Sequence, residues 1–360
     1  MSEIDRILKC FEAKSKHFEE AEKRQLEFWE SGGGPLPLLL MTDATHDMGT
    51  FNSKEIHYDS EKMFISEVLK ALRALNGGGE AVPSVRANMG CSVYPSLLGV
   101  APQLFEDKMP WVTEHLTREQ IVAIKPESIK ISGDFKTAIK HMSYMKSRLG
   151  NSPIRIYPPD LQGPFDMAHI VYGDAIFYDM YDDPTLVHYL LDLCCHAIIL
   201  GFEASMAVIP DSEELVAHYN NLVIPRSKGG LKISEDTSTL LSRDAIDEFV
   251  VPYTRRILDY FGGGYIHYCG KNNHLFEAML ELDKAHGINF GNPEMHDMDE
   301  ILGKIAKADM IYYGAINQLP GETERDFFLR VRKASDDKLL LVKDVGSRDA
   351  SEILRIWRGI

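Results

Sequence analysis

Gly230-Leu-Lys-Ile-Ser-Glu-Asp236, Tyr265-Ile-His-Tyr-Cys-Gly270 and Gly287-Ile-Asn-Phe-Gly-Asn292 are three short runs separated by two helical stretches, 242–261 and 273–285. The runs are apolar along most of their length rather than strictly alternating, the pattern of parallel strands buried on both faces. Strand, helix, strand, helix, strand is the βα repeat. The same rhythm extends outward. Residues 35–42, 82–88 and 153–159 supply three strands upstream, and 310–316 and 339–346 supply two downstream, with helices such as 60–75 and 184–206 between most of them. Eight strands separated by helices predict an α/β fold, a closed (β/α)8 TIM barrel. The alternative is an open doubly wound sheet. No Gly-x-Gly-x-x-Gly follows an early strand, and the three Gly-Gly-Gly runs at 32–34, 77–79 and 262–264 have the wrong spacing. They read as helix C-caps and hinges.

Residues 1–34 form an N-terminal helical extension, and with no linker or low-complexity segment the whole of 1–360 reads as one barrel domain. Two gaps, 90–151 and 159–229, are long. Long βα insertions at the top of a barrel usually wall the active site. Acidic residues outnumber basic ones 54 to 39, a formal charge of −15, which disfavours nucleic acid and anionic membranes as partners. Five irregularly spaced cysteines do not make a disulfide framework. The amphipathic, charged start has no signal core. No apolar stretch comes near the roughly 20 residues of a membrane span. The expectation is a cytoplasmic protein acting on a small molecule.

Polar residues at strand ends face the mouth of such a barrel. They are Asp43 and His46, Arg86 and Asn88, Asp160 and Gln162, Glu235 and Asp236, His267, Cys269 and Lys271, Asn292 and Glu294, Asn317 and Asp344. His267 and Cys269 are two apart on a strand, so both should point the same way into the mouth. Imidazole and thiolate suit Zn²⁺; the alternative is a core cysteine beside a hydrogen-bonded histidine. Glu235-Asp236 could serve as general base, metal ligand or substrate anchor, or merely brace a loop. Arg86 could grip a carboxylate or phosphate, or form an ion pair between loops. His46-Asp47 and His296-Asp-Met-Asp299 read as solvated turns, and no GxSxG, HExxH, Walker A or CxxC motif occurs. In the insertion after the second strand, Asn88–Tyr94 and Phe105–Trp111 are rich in apolar side chains. This segment should wall the pocket with Tyr94 or Trp111 facing the cavity; otherwise Trp111 anchors the loop to outer helices.

Leu161-Gln-Gly-Pro-Phe165, Asp179-Met-Tyr-Asp-Asp-Pro184, Ile233-Ser-Glu-Asp236 with Leu241-Ser242, Pro252-Tyr253 and Ile266-His-Tyr-Cys-Gly270 occur in order. Together they resemble the uroporphyrinogen decarboxylase superfamily. The resemblance implies a (β/α)8 fold, often dimeric, with two branches. One comprises cofactor-free decarboxylases with an Arg-Gln-Ala-Gly-Arg-like segment near the N-terminus. This chain has no such segment; Glu22-Lys-Arg-Gln25 lies in a helix and does not match. The other comprises corrinoid-dependent methyltransferases with a His-x-Cys zinc site completed by a distant Cys. His267 and Cys269 are similar to that pair, but no cysteine follows Cys269, and Asp344 stands near the position of the third ligand.

The resulting expectation is methyl transfer between a small substrate and a corrinoid carried by a separate protein. Zinc would sit on His267 and Cys269 with Asp344 or Glu235. Arg86 and Asn88 would orient the substrate, Gln162, Asn292 and Asn317 would line its site, and Asp236 would act as base or hydrogen-bond partner. A cofactor-free decarboxylase of a porphyrinogen or aromatic acid is the alternative, and a non-catalytic corrinoid-docking subunit the third.

Overall fold

The computed structural model describes residues 2–31, 36–46 and 48–360. Pro35, the first run of glycines (32–34) and Asp47 of the His46-Asp47 pair lie outside them. Eight parallel strands occur where eight were expected. They are β1 (Leu38–Thr42), β2 (Ser84–Arg86), β3 (Arg155–Tyr157), β4 (Leu231–Ser234), β5 (Gly264–Tyr268), β6 (Ala285–Phe290), β7 (Ile311–Gly314) and β8 (Leu339–Gly346). Ladders run in the order β1-β8-β7-β6-β5-β4, and β2 pairs with β3. A parallel bridge between Gln162 and Ser234 joins the chain after β3 to β4. The fold is the α/β barrel.

The remaining seam, between β1 and β2, carries no ladder. Gly77-Gly-Gly79 lies flat along β1 there; a Cβ at Gly77 would stand 2.7 Å from the Leu40 carbonyl oxygen. Glu80 then closes the seam. Its N–H donates to the Leu38 carbonyl and its carboxylate accepts from the Leu38 N–H, both at 2.9 Å. The same carboxylate takes Arg24 at 2.7 Å and Arg358 at 3.1 Å, although Glu80 is 4% exposed. One buried acid thus ties together the N-terminal helix Ser15–Ser31, the first strand and the C-terminal helix Ala350–Arg358.

The N-terminal extension is two helices, Glu3–Glu12 and Ser15–Ser31, with a turn at 13–14. The second seals the barrel floor. Trp29 packs beneath Gly287 at the base of β6, and buried Gln25 donates to the Glu80 and Asn221 carbonyls while accepting from Val223 N–H. An antiparallel hairpin not foreseen from the sequence, Leu215–His218 with Leu222–Pro225, pushes into the same floor. Its tip residue Tyr219 lines the cavity above and accepts a hydrogen bond from the Tyr313 hydroxyl on its carbonyl.

Helix Pro184–Val208 corrects one expectation: by length and composition it could cross a membrane. Most of its apolar window is instead buried, with Leu190, Leu193, Cys194 and Ile198 in a core cluster that runs from Ile4 to Trp357.

Removing one partner of a buried ion pair is strongly destabilising. Here, however, Arg24 and Arg358 are part-exposed and would be solvated, so Glu80→Ala is expected to cost about 1–3 kcal/mol, mainly for the stranded Leu38 N–H, read as a lower urea midpoint with unchanged slope. An unchanged midpoint would refute the role given to this seam.

Candidate functional site

Period-two alternation turns Tyr265 and His267 of β5 inward, together with Asn289 of β6 and Lys232 of β4. All four line a cavity of about 470 Å³ in the barrel mouth, with Arg86, Asp160, Tyr219, Phe290 and Tyr313 on its other sides. Two further cavities, of about 400 and 310 Å³, continue past Arg86, Asn88 and Met109 towards the helix Ser60–Leu75.

At the edge of this cavity His267, which lines it, converges with Asp236 and Cys269, each offering a donor atom within 4.8 Å of the others. His267 Nε2 stands 3.6 Å from Cys269 Sγ and 3.9 Å from Asp236 Oδ1. Donors around a tetrahedral zinc are about 3.3–3.8 Å apart, given metal–ligand bonds of about 2.0–2.3 Å. The nitrogen–sulfur separation falls in that range and the nitrogen–oxygen separation just outside it, with Asp236 Oδ1 also accepting from the Cys269 N–H at 2.5 Å. Nitrogen, sulfur and carboxylate oxygen are donor types that zinc takes, and three protein donors would leave a fourth position open, the catalytic rather than the structural pattern.

The histidine is held in the tautomer such a site needs. Asn289 Nδ2 donates to the Tyr313 carbonyl, which fixes its amide so that Oδ1 faces His267 Nδ1. Nδ1 therefore carries the proton, and Nε2 presents its lone pair to Cys269 and Asp236. Burial, reinforced by the charge of Lys232, lowers the pKa of His267 and keeps the ring neutral. Desolvation of the thiol and the neighbouring Asp236 carboxylate push Cys269 up to about 11. Gly291 leaves space for this sulfur, since a Cβ there would overlap Sγ.

Asp236 is placed by its backbone. Its N–H and that of Thr237 donate to Asp166 at 2.6 and 2.8 Å. Glu235, the adjacent residue, turns the other way and is fully buried, accepting from the Thr254 hydroxyl at 2.6 Å and the Ser238 hydroxyl at 2.9 Å. Burial, partly offset by those two hydrogen bonds, pushes its carboxyl up to about 7. Burial, then the charges of Glu235 and Asp236, raises Asp166.

Next to this cluster, from the adjoining strand β4, Lys232 Nζ donates to Asp160 Oδ1 at 2.8 Å, and Arg86 NH1 stands 3.6 Å from the same oxygen. Desolvation opposes the charge on Asp160, but Lys232 and Arg86 outweigh it and hold the carboxyl well below its usual range. Arg86 stacks over Tyr157 and donates to Asn88 Oδ1 at 2.9 Å, while Asn88 donates to Glu67.

The remaining expectations scatter. Asp344 is not beside the metal-type cluster: it ends β8, pairs with Arg73 and accepts from Gly346 N–H. Asp236 stands where Asp344 was expected. Asn292 braces the Cys269-Gly270 turn by accepting from Gly270 N–H at 3.1 Å. Gln162 is buried and contributes a backbone bridge. Asn317 is exposed, with its carbonyl on Arg330. Neither aromatic of the insertion walls the mouth cavity. Tyr94 is fully buried, edge-on to Phe135 with ring centroids 5.0 Å apart, and Trp111 is 54% exposed in a short hairpin; Met109 lines the trough instead. Lys232, Asn289 and Tyr219 were missed. Lys232 and Asn289 lie inside apolar strands, where alternation from Ser234 and His267 could have flagged them.

None of the curated proteins matches this chain. The family model described as uroporphyrinogen decarboxylase (URO-D) does, over residues 53–314. That span runs from ahead of β2 to the end of β7 and includes Arg86, Asp160, Lys232, Asp236, His267, Cys269 and Asn289. The chain belongs to the uroporphyrinogen decarboxylase family.

Proposed function

We propose that the protein is a zinc-assisted, corrinoid-dependent methyltransferase of this family, moving a methyl group between a small substrate and a corrinoid presented by a partner protein. The observation that carries this reading is the convergence of Asp236 and Cys269 on His267, which lines the mouth cavity, with the histidine tautomer set for ligation. A cofactor-free decarboxylase has no use for an imidazole, a thiol and a carboxylate aimed at one point. Its anion-gripping arginine segment also has no counterpart here, because Arg24 is spent on Glu80 at the floor.

Asp236, His267 and Cys269 would hold the ion. Zinc bound there supplies Lewis acidity, lowering the pKa of an acceptor thiol or polarising a methoxy or methyl donor. Asn289 keeps His267 aligned, and the Asp166 carboxylate keeps Asp236 in place. Arg86, steadied by Asn88 and Tyr157, orients the substrate across the cavity. Asp236 replaces a thiolate in the donor set, which makes the metal harder and favours an oxygen-bearing substrate over a soft thiol.

Protein purified without chelators should carry one zinc ion per chain by elemental analysis, and His267→Ala should lose it together with methyl transfer. Zinc-free wild type with an unimpaired His267→Ala variant would sink the reading. Groups that orient a liganding histidine typically contribute 10–100-fold in metal affinity, so Asn289→Leu should weaken zinc binding by about that factor in competition with a chromogenic chelator.

Ligation also requires the thiolate. With Cys269 pushed up to about 11 and His267 neutral, zinc binding at pH 7 should release about one proton per ion, and affinity should rise with pH. Calorimetry in buffers of different ionisation enthalpy reads this directly. No proton release would exclude Cys269 as a ligand.

A further inference from the structure

One aromatic side chain stands in the barrel without being packed there. The hairpin Leu215–His218 with Leu222–Pro225 plugs the floor, and every residue of its two strands is buried. Its turn is clamped. The Tyr219 carbonyl accepts from the Tyr313 hydroxyl. The Asn221 carbonyl accepts from Val82 N–H and from the Gln25 side chain, both at 3.0 Å. The His218 ring is fixed on the Gly230 carbonyl at 3.0 Å and lies edge-on to Tyr265. Tyr219 is nevertheless 59% exposed, and it borders the barrel interior: it lines the mouth cavity, the trough beyond Arg86 and a small chamber between Asp160 and His218. Its aromatic neighbours there, Tyr157, Tyr265 and Tyr313, are all buried and fill the barrel as layered side chains do. Tyr219 does not serve as filling. A ring held at a fixed place in a concave site and left largely uncovered is apolar surface in water, and a flat ligand would cover it.

We propose that Tyr219 is the specificity-determining residue of this site, a stacking platform that selects a substrate carrying a planar aromatic or heteroaromatic ring. This rests on the reading of the mouth cavity as the substrate site. Stacking needs a flat partner, and a saturated ring of the same size presents axial hydrogens that hold the two surfaces apart. Phe290 and Pro293 give the same cavity apolar surface at the end of β6, and its volume of about 470 Å³ admits a ring-sized molecule. Lys232, His267 and Asn289, on the strands that line the cavity, are left to meet the substituents of that ring. The platform rises from the floor and not from a strand end, so it sets which molecule is held without itself joining the chemistry at His267.

The test is a ligand-detected NMR titration of the full-length protein with phenol and with indole, and with cyclohexanol as the saturated comparison. At least one aromatic probe should bind saturably and about fivefold or more tighter than cyclohexanol, the scale of one aromatic pair. Tyr219→Phe keeps the ring and should hold that affinity within about twofold, whereas Tyr219→Leu should cost the aromatic probe about fivefold or more and cyclohexanol less. Both variants should melt with the wild type, since Tyr313 bonds to the Tyr219 backbone and not to its side chain. No saturable binding of either aromatic probe, equal binding of cyclohexanol, wild-type affinity in Tyr219→Leu, or an equal loss in the two variants would overturn the proposal. The titration is repeated after chelation and dialysis. Aromatic preference in zinc-free protein leaves the platform standing while the metal reading falls. Protein that carries zinc yet shows no aromatic preference loses the platform and keeps the metal site.

Discussion

A barrel exists only if its first strand meets its last and its second, and here one of those contacts is made by a side chain. The ladders close every seam but the one between β1 and β2 or are extended by a bridge. At that seam Glu80 does the joining, through its own backbone and through both carboxylate oxygens. The constraint propagates upward. Closure sets the angular position of every strand end, so Arg86 after β2, Asp160 after β3 and His267 on β5 all face one cavity. It also propagates downward, because the arginine and glutamine that reach the Glu80 region come from the helix that plugs the floor. Without the plug the cavity would be open at both ends, and the charges along its walls would be screened by water.

Inside that sealed mouth, hydrogen bonds decide which atoms are available. Asn289 can accept from His267 only because the Tyr313 carbonyl has claimed its amide nitrogens' direction. Asp160 stays ionised against desolvation only because two cations press on it. These are consequences of a low effective dielectric, in which a satisfied network is strong and an unsatisfied member is expensive.

The strands were legible because parallel strands buried on two faces must be apolar, and all eight stood out as such. His267 and Cys269 were legible because alternation is a local rule, and their sulfur and nitrogen do meet, at 3.6 Å. The third donor was not legible in the same way. Asp344 lies near the end of the last strand, but β8 is three places round the barrel from β5, against β1 and β7. β4 is the immediate neighbour, with Ser234 in register with His267, so the loop two residues further on brings Asp236 to the pair. Angular distance round a barrel depends on closure, which no local pattern reports. The floor hairpin was missed for a related reason: its strands were absorbed into a long gap assumed to sit at the top. Tyr94 was read as a cavity wall from its aromatic character, yet that character equally serves a packed core, and the core took it.

Two of the stretches that carry the family resemblance, Leu161–Phe165 and Ile233–Asp236, are neighbours in space. The Leu161 carbonyl accepts from Ser234 N–H, and Gly163 N–H donates to the Ser234 carbonyl at 2.7 Å. Asp166 then holds the amides of Asp236 and Thr237, and Glu235 fills the space that Gly163 leaves by lacking a Cβ. What these motifs specify is a buried polar frame that turns the chain after β4 and points one carboxylate at β5. A frame of this kind has to be complete, because each buried group left without a partner costs about 1–3 kcal/mol. The side chains next to it that line the cavity, His267, Lys232 and Arg86, are not under that constraint to the same degree, since they border a space where a ligand can supply a partner. Family membership therefore follows from the frame, and the reaction follows from what the frame displays. In this chain the display is a carboxylate, an imidazole and a thiol aimed at one point, beside Lys232 and Arg86 held on Asp160.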